Sequence, residues 1–347
     1  MIKKIINQIF HGKIQTLKFS DIQNDENKVY NIDFQDNGKI KVNLYTLKNV
    51  RIVQSGNTCF SVLKDNFLIE ELCFQSKNLI RKDLNSNKVF NNGYFPFFSK
   101  KIKGTSFCLL QDIAQKLNYF HFLYDCIVKL HLVEKSKEIE FDKVLVPSIK
   151  LNFQKQILRA LNLEDKIIDC DGLKVLDIEN LIIVDHPYWK ENNLWFDDIA
   201  QLPEWSIKYL RNKFLHLASE NSFKNKIFID RSDSTSPYNQ IDNNLEVKKF
   251  LTQKGFQILK FSNLSFEEQI KAFKNADIIV GGHGSAFANL AFCKPNIKLI
   301  ELRQKDHCVS LKKISEVNNF EHKVWLIETN EKGKMYVDIK KLEKYLS

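Results

Sequence analysis

Residues 276–292 read ADIIVGGHGSAFANLAF, an apolar strand pattern that runs through three glycines straight into a helical pattern of small residues. Gly281, Gly282 and Gly284 permit a tight turn and a close approach of the backbone to a ligand. The free N–H groups and the dipole at the helix start attract an anion such as a diphosphate. His283 would donate to that phosphate or to the oxygen that leaves with it; the alternative is a histidine satisfied within a structural turn. The spacing is neither G-x-G-x-x-G nor a P-loop.

On both sides of this stretch, apolar strands alternate with amphipathic helices. The alternation runs from residue 224 to residue 328, and Ser265 and Glu268 form a capping box at the start of one helix. This pattern predicts a parallel sheet with helices on both faces. We assign residues 221–347 to one α/β lobe, which includes a last helical stretch, VDIKKLEKYL.

The preceding chain divides into two parts. Residues 1–104 hold β-branched and aromatic runs separated by turn residues, as at Asp36-Asn37-Gly38 and Ser55-Gly56-Asn57, and predict a β-rich N-terminal segment. Residues 105–220 mix strands with helical patterns, including one over residues 111–134, and predict a first α/β lobe. The predicted fold class is α/β, with two Rossmann-like lobes after the β-rich segment and the ligand between the lobes.

Polar residues follow the strands of the second lobe. Ligands of an open parallel sheet bind beyond the carboxyl ends of the strands, where Arg231 follows KIFID and Glu301 closes IKLIE. Arg231 suits phosphate oxygens; the alternative is a surface salt bridge with Asp230 or Asp233. Glu301 would accept hydrogen bonds from ribose hydroxyls, or pair with one of the cations that follow it.

A second candidate site lies in the first lobe, in the stretch NYFHFLYD at residues 118–125. His121 and Asp125 are four residues apart and share one face of a helix that is otherwise mostly apolar. A buried histidine beside a carboxylate is a candidate acid or base. Asp125 would raise the basicity of the imidazole, or burial would raise the pKa of Asp125 itself. The alternative is a core histidine that its neighbour satisfies.

Composition excludes several classes of protein. With 44% hydrophobic and 27% charged residues, the chain of 347 residues is neither disordered nor fibrous, and no apolar run is long enough to span a membrane. Seven cysteines without a C-x-x-C pair argue against a disulfide framework or a structural zinc site and favour a reducing cytoplasm.

The net charge of +10 favours an anionic partner. The lysines are dispersed, and no basic cluster with interleaved aromatic residues indicates nucleic-acid binding. They suit peripheral contact with an anionic inner membrane. Asp169-Cys170-Asp171 matches the short D-x-D pattern that binds a divalent metal in some sugar-nucleotide enzymes, but three residues match often by chance, and we expect no metal site.

Taken together, these motifs resemble glycosyltransferase family 61, found in bacterial capsule loci and among eukaryotic secretory-pathway enzymes. The resemblance covers about residues 105 to 305 and rests on four motifs in this order: NYFHFLYD at 118–125, KIFIDR at 226–231, SFEEQIKAFKNADIIVGGHGSAFANLAF at 265–292 and LIEL at 299–302. It departs from the family pattern at His283-Gly284-Ser285-Ala286, where H-G-A-G is common, and at residues 237–243, where a second arginine is missing.

The resemblance implies a GT-B type fold and an inverting, metal-independent glycosyltransferase. It would move a hexosyl or N-acetylhexosaminyl group from a nucleotide sugar, a UDP-sugar in this expectation, to a glycan or lipid-linked acceptor in capsular polysaccharide synthesis. His121, Asp125 and His283 would be catalytic, with His121 or Asp125 as the base for the acceptor. The residues expected to bind the donor and its phosphates are Arg231, Gly282, Gly284, Ser285, Ala286, Asn289 and Glu301. No cofactor is expected, and the expected location is the cytoplasm. The rivals are a polysaccharide-modifying transferase of the pyruvyl transferase type and a non-catalytic nucleotide- or carbohydrate-binding module.

Overall fold

The computed structural model describes residues 14–35, 39–54, 59–75, 99–110, 118–136, 139–186, 202–219, 223–236, 238–305 and 311–346. The chain divides into two compact units, Met1–Asp198 and Ile199–Ser347. Both combine helices with sheets that contain parallel strands, which confirms the α/β class. The predicted turns at residues 36–38 and 55–57 and the start of the helix predicted from residue 111 lie outside the described residues. Within the described ranges, no helix is long and apolar enough to cross a membrane.

The first unit is built on one ten-stranded mixed sheet. Its strands are β1 (Gln15–Leu17), β2 (Lys28–Gln35), β3 (Lys39–Gln54), β4 (Cys59–Lys64), β5 (Phe67–Ile69), β6 (Phe74–Gln75), β7 (Lys100–Cys108), β8 (Lys143–Val146), β9 (Ile167–Asp169) and β10 (Val175–Val184). Their order is β1-β5-β4-β3-β10-β7-β8-β9, with β2 also paired to β3 and β6 to β4. β3 runs antiparallel to β10, whereas β10, β7, β8 and β9 are mutually parallel.

The β-rich N-terminal strands belong to the same sheet as the strands that follow residue 104. β3 pairs with β10 from Leu44 to Val53, and apolar side chains from both strands, such as Ile52 and Leu181, share one core. The sequence predicts a separate β-rich segment that ends at residue 104, whereas in the structure one sheet extends across that boundary. The reason is that strand pairing between distant segments leaves no mark in a local pattern.

The sequence analysis did not predict two details of this sheet. β3 is a single strand of 16 residues rather than two short ones, because Asn49 takes a φ of 51° within the strand instead of ending it. β7 lies between β10 and β8 and was not predicted, since its first half is largely exposed and polar. β7 ends just before the segment that leads to the first helix.

The helices that the structure describes in the first unit lie between the parallel strands β7, β8 and β9 of its sheet. They are α1 (Tyr119–His121), a π-helical turn (Phe122–Ile127), α2 (Lys129–Ser136) and α3 (Asn152–Ala160), with short 3₁₀ turns at Phe19–Asp21, Glu70–Leu72 and Glu164–Lys166. The continuous helix that the spacing predicts is therefore widened in its middle by the π-helical turn. Such turns occur frequently at functional sites, and this one contains Asp125.

The second unit contains a five-stranded sheet that is parallel throughout, as predicted. Its strands are β11 (Lys226–Ile229), β12 (Gln257–Leu259), β13 (Ile278–Gly282), β14 (Lys298–Gln304) and β15 (Glu321–Ile327). Its helices are α4 (Glu204–Phe214), α5 (Asn244–Gln253), α6 (Phe266–Lys274), α7 (Leu311–Val317) and α8 (Ile339–Leu346), with 3₁₀ segments at Leu215–Leu217, Phe261–Asn263 and Ser285–Phe292. The predicted helix after the glycine loop is thus 3₁₀ rather than α.

α4 belongs to the second unit, although the sequence places it at the end of the first lobe. Phe214 meets Phe266 edge to face with ring centroids 5.0 Å apart, and Arg211 donates to the carbonyl of Ala291 at 3.1 Å. The observed boundary follows Asp198 instead of residue 220. An amphipathic helix shows which face it buries but not which sheet that face covers.

The C-terminal helix α8 packs on the same unit. Leu342 is fully buried, and Tyr345 stacks on Trp325 of β15 with ring centroids 5.3 Å apart. Buried aliphatic and aromatic side chains of β11, β13 and β14 complete this core. The helix therefore covers the sheet face formed by these side chains.

Candidate functional site

The order of the parallel strands marks one crevice in the second unit. In chain order the strands β11 to β15 are arranged 2-1-3-4-5, because the chain moves from β11 outward to β12 and then returns to the other side of β11 with β13. The connections therefore leave β11 and β13 in opposite directions, and ligands of such sheets bind at that switch point. Arg231 lies two residues after the end of β11, and Gly282 ends β13. The two strongest sequence candidates thus meet at the one place where this topology opens a crevice.

The Arg231 guanidinium is fixed by backbone and hydroxyl oxygens. Nη1 donates to the carbonyls of His283 and, at 3.3 Å, Tyr238, and Nη2 donates to the Ser234 hydroxyl at 3.4 Å. Burial lowers the pKa of Arg231, while the charge of Asp233 acts in the opposite direction. A guanidinium has an ordinary pKa above 12, so it stays charged at physiological pH.

The salt bridge considered for Arg231 does not involve Asp230. The Asp230 carboxylate is occupied by Lys248 at 3.2 Å and Asn244 at 2.9 Å, and it also accepts from the backbone N–H of Ser232. Burial alone would raise the Asp230 pKa, but these hydrogen bonds outweigh burial and lower it. Asp230 therefore anchors α5 and the chain after β11, and Arg231 faces the glycine loop.

The loop requires glycines because neighbouring atoms leave no room for a Cβ, and not because of unusual backbone angles. A Cβ on Gly284 would lie 2.7 Å from Nε of Arg231, and a Cβ on Gly282 would lie 2.7 Å from the backbone oxygen of Asn239. Gly284 has a φ of 174°, an extended conformation that any residue adopts. The absence of side chains lets Arg231 lie directly against the loop.

His283 is part of a buried network around Glu301. Nδ1 of His283 lies 2.7 Å from Oε1 of Glu301, and Nε2 of His322 lies 2.8 Å from Oε2. Burial by itself would raise the pKa of Glu301, but the hydrogen bonds and charges of the two histidines outweigh it and lower the pKa to about 2. An ionised carboxylate only accepts hydrogen bonds, so His283 carries its proton on Nδ1 and presents Nε2 as its second polar atom.

This network changes the role expected for Glu301. Only 1% of Glu301 is exposed, both its oxygens contact histidines, and Arg303 lies 3.8 Å from Oε1. The carboxylate is therefore placed to orient His283 rather than to accept a hydrogen bond from ribose. His322 was missed by the sequence analysis, because it lies near the start of β15, where no motif marks it.

The remaining loop residues predicted to bind the donor do not all face the same way. Ser285 is exposed, and Ala286 is half-buried. Asn289 is fully buried and donates to Gln269 of α6 and to the carbonyl of Ala286, each at 3.0 Å. In this structure Asn289 therefore supports the loop through these two hydrogen bonds.

Two further residues shape the crevice and were missed. Asn239, with a φ of 56°, exchanges two hydrogen bonds of 2.9 Å with Gln304 at the end of β14. This exchange holds the chain after Arg231 against the sheet. Lys334, from the turn before α8, lines a cavity of about 130 Å³ together with Arg231 and Gly282. Neither residue belongs to a recognisable motif.

The candidate site of the first unit is a carboxylate between two histidines. Asn118 caps the helix start by accepting from the backbone N–H groups of Phe120 and His121. Nδ1 of His121 lies 2.8 Å from one oxygen of Asp125, and Nε2 of His186 lies 3.9 Å from the other. All three side chains are buried. The predicted pairing of His121 with Asp125 is therefore present, and His186, which follows β10, was missed.

Next to this cluster lies a fully buried lysine. Nζ of Lys129 donates to the carbonyl of Leu110 at 3.1 Å, and burial lowers the pKa of Lys129 even though nearby thiols and carboxylates act to raise it. The same burial raises the pKa of Cys108 to about 11. The surroundings of Asp125 are thus poor in water, which strengthens electrostatic interactions within them.

The D-x-D residues are engaged locally. Asp169 accepts from the backbone N–H of Asp171 at 2.9 Å, and Asp171 pairs with Lys150 at 2.8 Å. Across the ranges that the structure describes, no group of three or more histidine, cysteine or carboxylate side chains is arranged to hold a metal ion.

Comparison with known proteins matches the chain to a protein family. A family model described as Glycosyltransferase 61 matches residues 119–300, which is more than half of the 347 residues. The matched region begins beside His121 and ends just before Glu301. No curated protein matches the chain significantly.

Proposed function

The chain belongs to glycosyltransferase family 61, and we propose from this premise that it is an inverting, metal-independent enzyme that moves a sugar from a nucleotide diphosphate donor to a hydroxyl acceptor. The observation that carries the proposal is the meeting of Arg231 with the His283 loop at the switch point of a parallel sheet. A sheet that needed only stability would have no use for a buried cation and a histidine there.

The donor diphosphate would lie at the crevice between β11 and β13. Arg231 and the backbone N–H groups that follow Gly284 offer positive charge and donors without a metal. Both are fixed before the reaction, so they stabilise the charge that grows on the leaving diphosphate without rearranging. Such preorganised electrostatic stabilisation is usually the largest catalytic contribution.

His283 would act on the leaving group. In its imidazolium form, Nε2–H donates to a phosphate oxygen of the departing nucleotide, while Glu301 holds Nδ1 and stabilises the positive charge. Glu301 and His322 are positioning residues in this scheme.

The base for the acceptor would be His121. Asp125 holds Nδ1 of His121 at 2.8 Å, and Nε2 would take the proton, in the manner of the histidine of a catalytic triad. The acceptor oxygen forms a bond to the anomeric carbon, the bond from that carbon to the diphosphate oxygen breaks, and the electron pair leaves with the diphosphate. One displacement of this kind inverts the anomeric configuration.

We further propose a GT-B arrangement, in which the unit with His121 binds the acceptor and the unit with Arg231 binds the donor. The acceptor would be a glycan or a lipid-linked glycan of a capsular polysaccharide, the sugar a hexose or N-acetylhexosamine supplied as a UDP-sugar, and the location the cytoplasmic face of a membrane. Family membership supports the transferase chemistry, and the net charge of +10 supports contact with anionic lipid.

A panel of nucleotide sugars tests the function. Purified protein is incubated with each donor and with glycan or lipid-linked acceptors, with and without EDTA, and nucleotide release and product anomer are measured. We expect release from one class of donor, unaffected by EDTA, and an inverted product. Activity that EDTA abolishes and Mn²⁺ restores would refute metal independence, and a panel without any binding or release would refute the proposal as a whole.

A further inference from the structure

Apart from His283, which is proposed above to act on the leaving group, the donor crevice as assigned so far holds one side-chain cation, Arg231. A nucleoside diphosphate carries at least two negative charges at neutral pH, whereas Arg231 supplies one positive charge, and its Nη1 is already engaged by two backbone carbonyls. A second cation beside Arg231 would balance the charge. The structure brings one to this place from a distant part of the chain.

Lys334 lies in the turn between β15 and α8, more than 30 residues beyond the region that the family model matches. It lines the same cavity of about 130 Å³ as Arg231 and Gly282. The cavity lies at the carboxyl ends of β11 and β13, where the diphosphate is expected. Lys334 thus reaches the donor crevice from outside the segment that carries the family motifs.

The position of Lys334 is fixed by its backbone. The adjacent Met335 is fully buried, its N–H donates to the carbonyl of Gln240 at 2.8 Å, and its carbonyl accepts from Asp242 at 2.8 Å. The carbonyl of Lys334 accepts from the N–H of Asn330 at 2.8 Å, which closes the turn. The turn is therefore attached to Gln240 and Asp242, in the segment that follows Arg231.

The ammonium group of Lys334 differs from those of several other lysines in the second unit, which form ion pairs with carboxylates. Lys248, Lys254 and Lys305 each pair with a carboxylate. Among the residues that the structure describes, no carboxylate lies within ion-pair distance of the half-buried Lys334. Its charge is thus available to an anion that enters the cavity.

We propose that Lys334 is the second phosphate-binding cation of the donor site and contacts the diphosphate of the nucleotide sugar. This inference rests on the proposed function, because it assigns a residue to the donor site described there. Lysine suits this role as a compact charge on a flexible stem that can follow the diphosphate as its charge grows. Lys334 is a binding residue here, and the reaction chemistry stays with the residues already named.

The test compares three variants by calorimetry. The nucleoside diphosphate that wild type binds best among UDP, GDP, ADP and CDP is titrated into wild type, Lys334→Gln, Lys334→Arg and the control Lys332→Gln, whose side chain is exposed in the same turn. The nucleoside of the same base is titrated in parallel. Thermal unfolding of each variant shows that the turn is intact.

Lys334→Gln should weaken diphosphate binding about 10- to 100-fold, as expected for the loss of a charged hydrogen bond. It should leave nucleoside binding unchanged, Lys334→Arg should retain most of the affinity, and Lys332→Gln should match wild type. Equal diphosphate affinity of wild type and Lys334→Gln overturns this inference alone. Equal loss with the nucleoside overturns it too, since the contact would then not be to phosphate. A wild type that binds none of the diphosphates refutes the proposed function and this inference together.

Discussion

Replacing Glu301 by glutamine should destabilise the protein in a manner that depends on pH. The substitution keeps the shape of the side chain but removes the charge that holds His283 at 2.7 Å and His322 at 2.8 Å. An ordinary glutamate has a pKa of 4.5, and that of Glu301 is about 2. Because one pKa unit is worth about 1.4 kcal/mol, the ionised form contributes about 3 kcal/mol to folding at neutral pH.

The sign follows from the lowered pKa. The stabilisation is complete above pH 4.5, the ordinary pKa, and is lost as the pH falls towards the folded-state value of about 2. At pH 3, linkage leaves about 1 kcal/mol of it. Glutamine mimics the protonated acid, so the deficit of Glu301→Gln should shrink from about 3 kcal/mol at pH 7 to about 1 kcal/mol at pH 3.

Urea unfolding at the two pH values measures this difference. Trp205 and Trp325, two of the four tryptophans, lie in the unit that contains Glu301 and report on its unfolding by fluorescence. Glu331→Gln, at an exposed position, is the matched control and should equal wild type at both pH values. A deficit below about 1 kcal/mol at pH 7, or one that is equal at pH 7 and pH 3, would refute an ionised carboxylate between two histidines.

Four further substitutions test the sites. Gly284→Ala would place a Cβ 2.7 Å from Nε of Arg231, so calorimetry should show nucleotide binding weakened about 10-fold or more; unchanged affinity would contradict the close contact. Asp125→Asn and His121→Ala should each lower kcat by about 10²- to 10⁴-fold with nucleotide affinity intact, and full rates in both would remove His121 as the base. Lys129→Met should raise the free energy of unfolding at pH 7, because burial lowers the pKa of Lys129. That gain should shrink as pH nears 10.5, the ordinary lysine pKa, where the unfolded chain also becomes neutral, and a gain independent of pH would contradict the reasoning.

The sequence identified the residues that local chemistry makes unusual. Arg231 at a strand end, His283 on a glycine loop and Asp125 four residues after His121 were all recognisable, because strand ends, glycine turns and helical spacing are short-range patterns. The structure brings Arg231 and His283 together and pairs His121 with Asp125. The donor-binding role of Asn289 stays a prediction; the structure shows its side chain bonded to Gln269 and to the carbonyl of Ala286, a direction that its position in a motif does not reveal.

Some residues of the candidate sites belong to no sequence motif, and only the tertiary structure identifies them. His186, His322 and Lys334 are each isolated in the sequence, and each contributes to a site because a distant strand or turn places it there. The same cause joins β3 to β10 across the predicted boundary and attaches α4 to the second unit.

The sequence by itself determined the parallel α/β character of the second unit and the chemistry of its glycine loop, because alternating hydrophobic periods and glycine spacing act over a few residues. The tertiary structure alone decided the strand order β12-β11-β13-β14-β15, which opens the crevice between Arg231 and Gly282. It also decided that Glu301 is placed to orient His283 and that Lys334 lies at the same crevice. These outcomes depend on which apolar surfaces pack together between segments that are far apart in the chain. A local sequence pattern shows that a surface is apolar but does not specify its packing partner, so the pattern does not predict these outcomes.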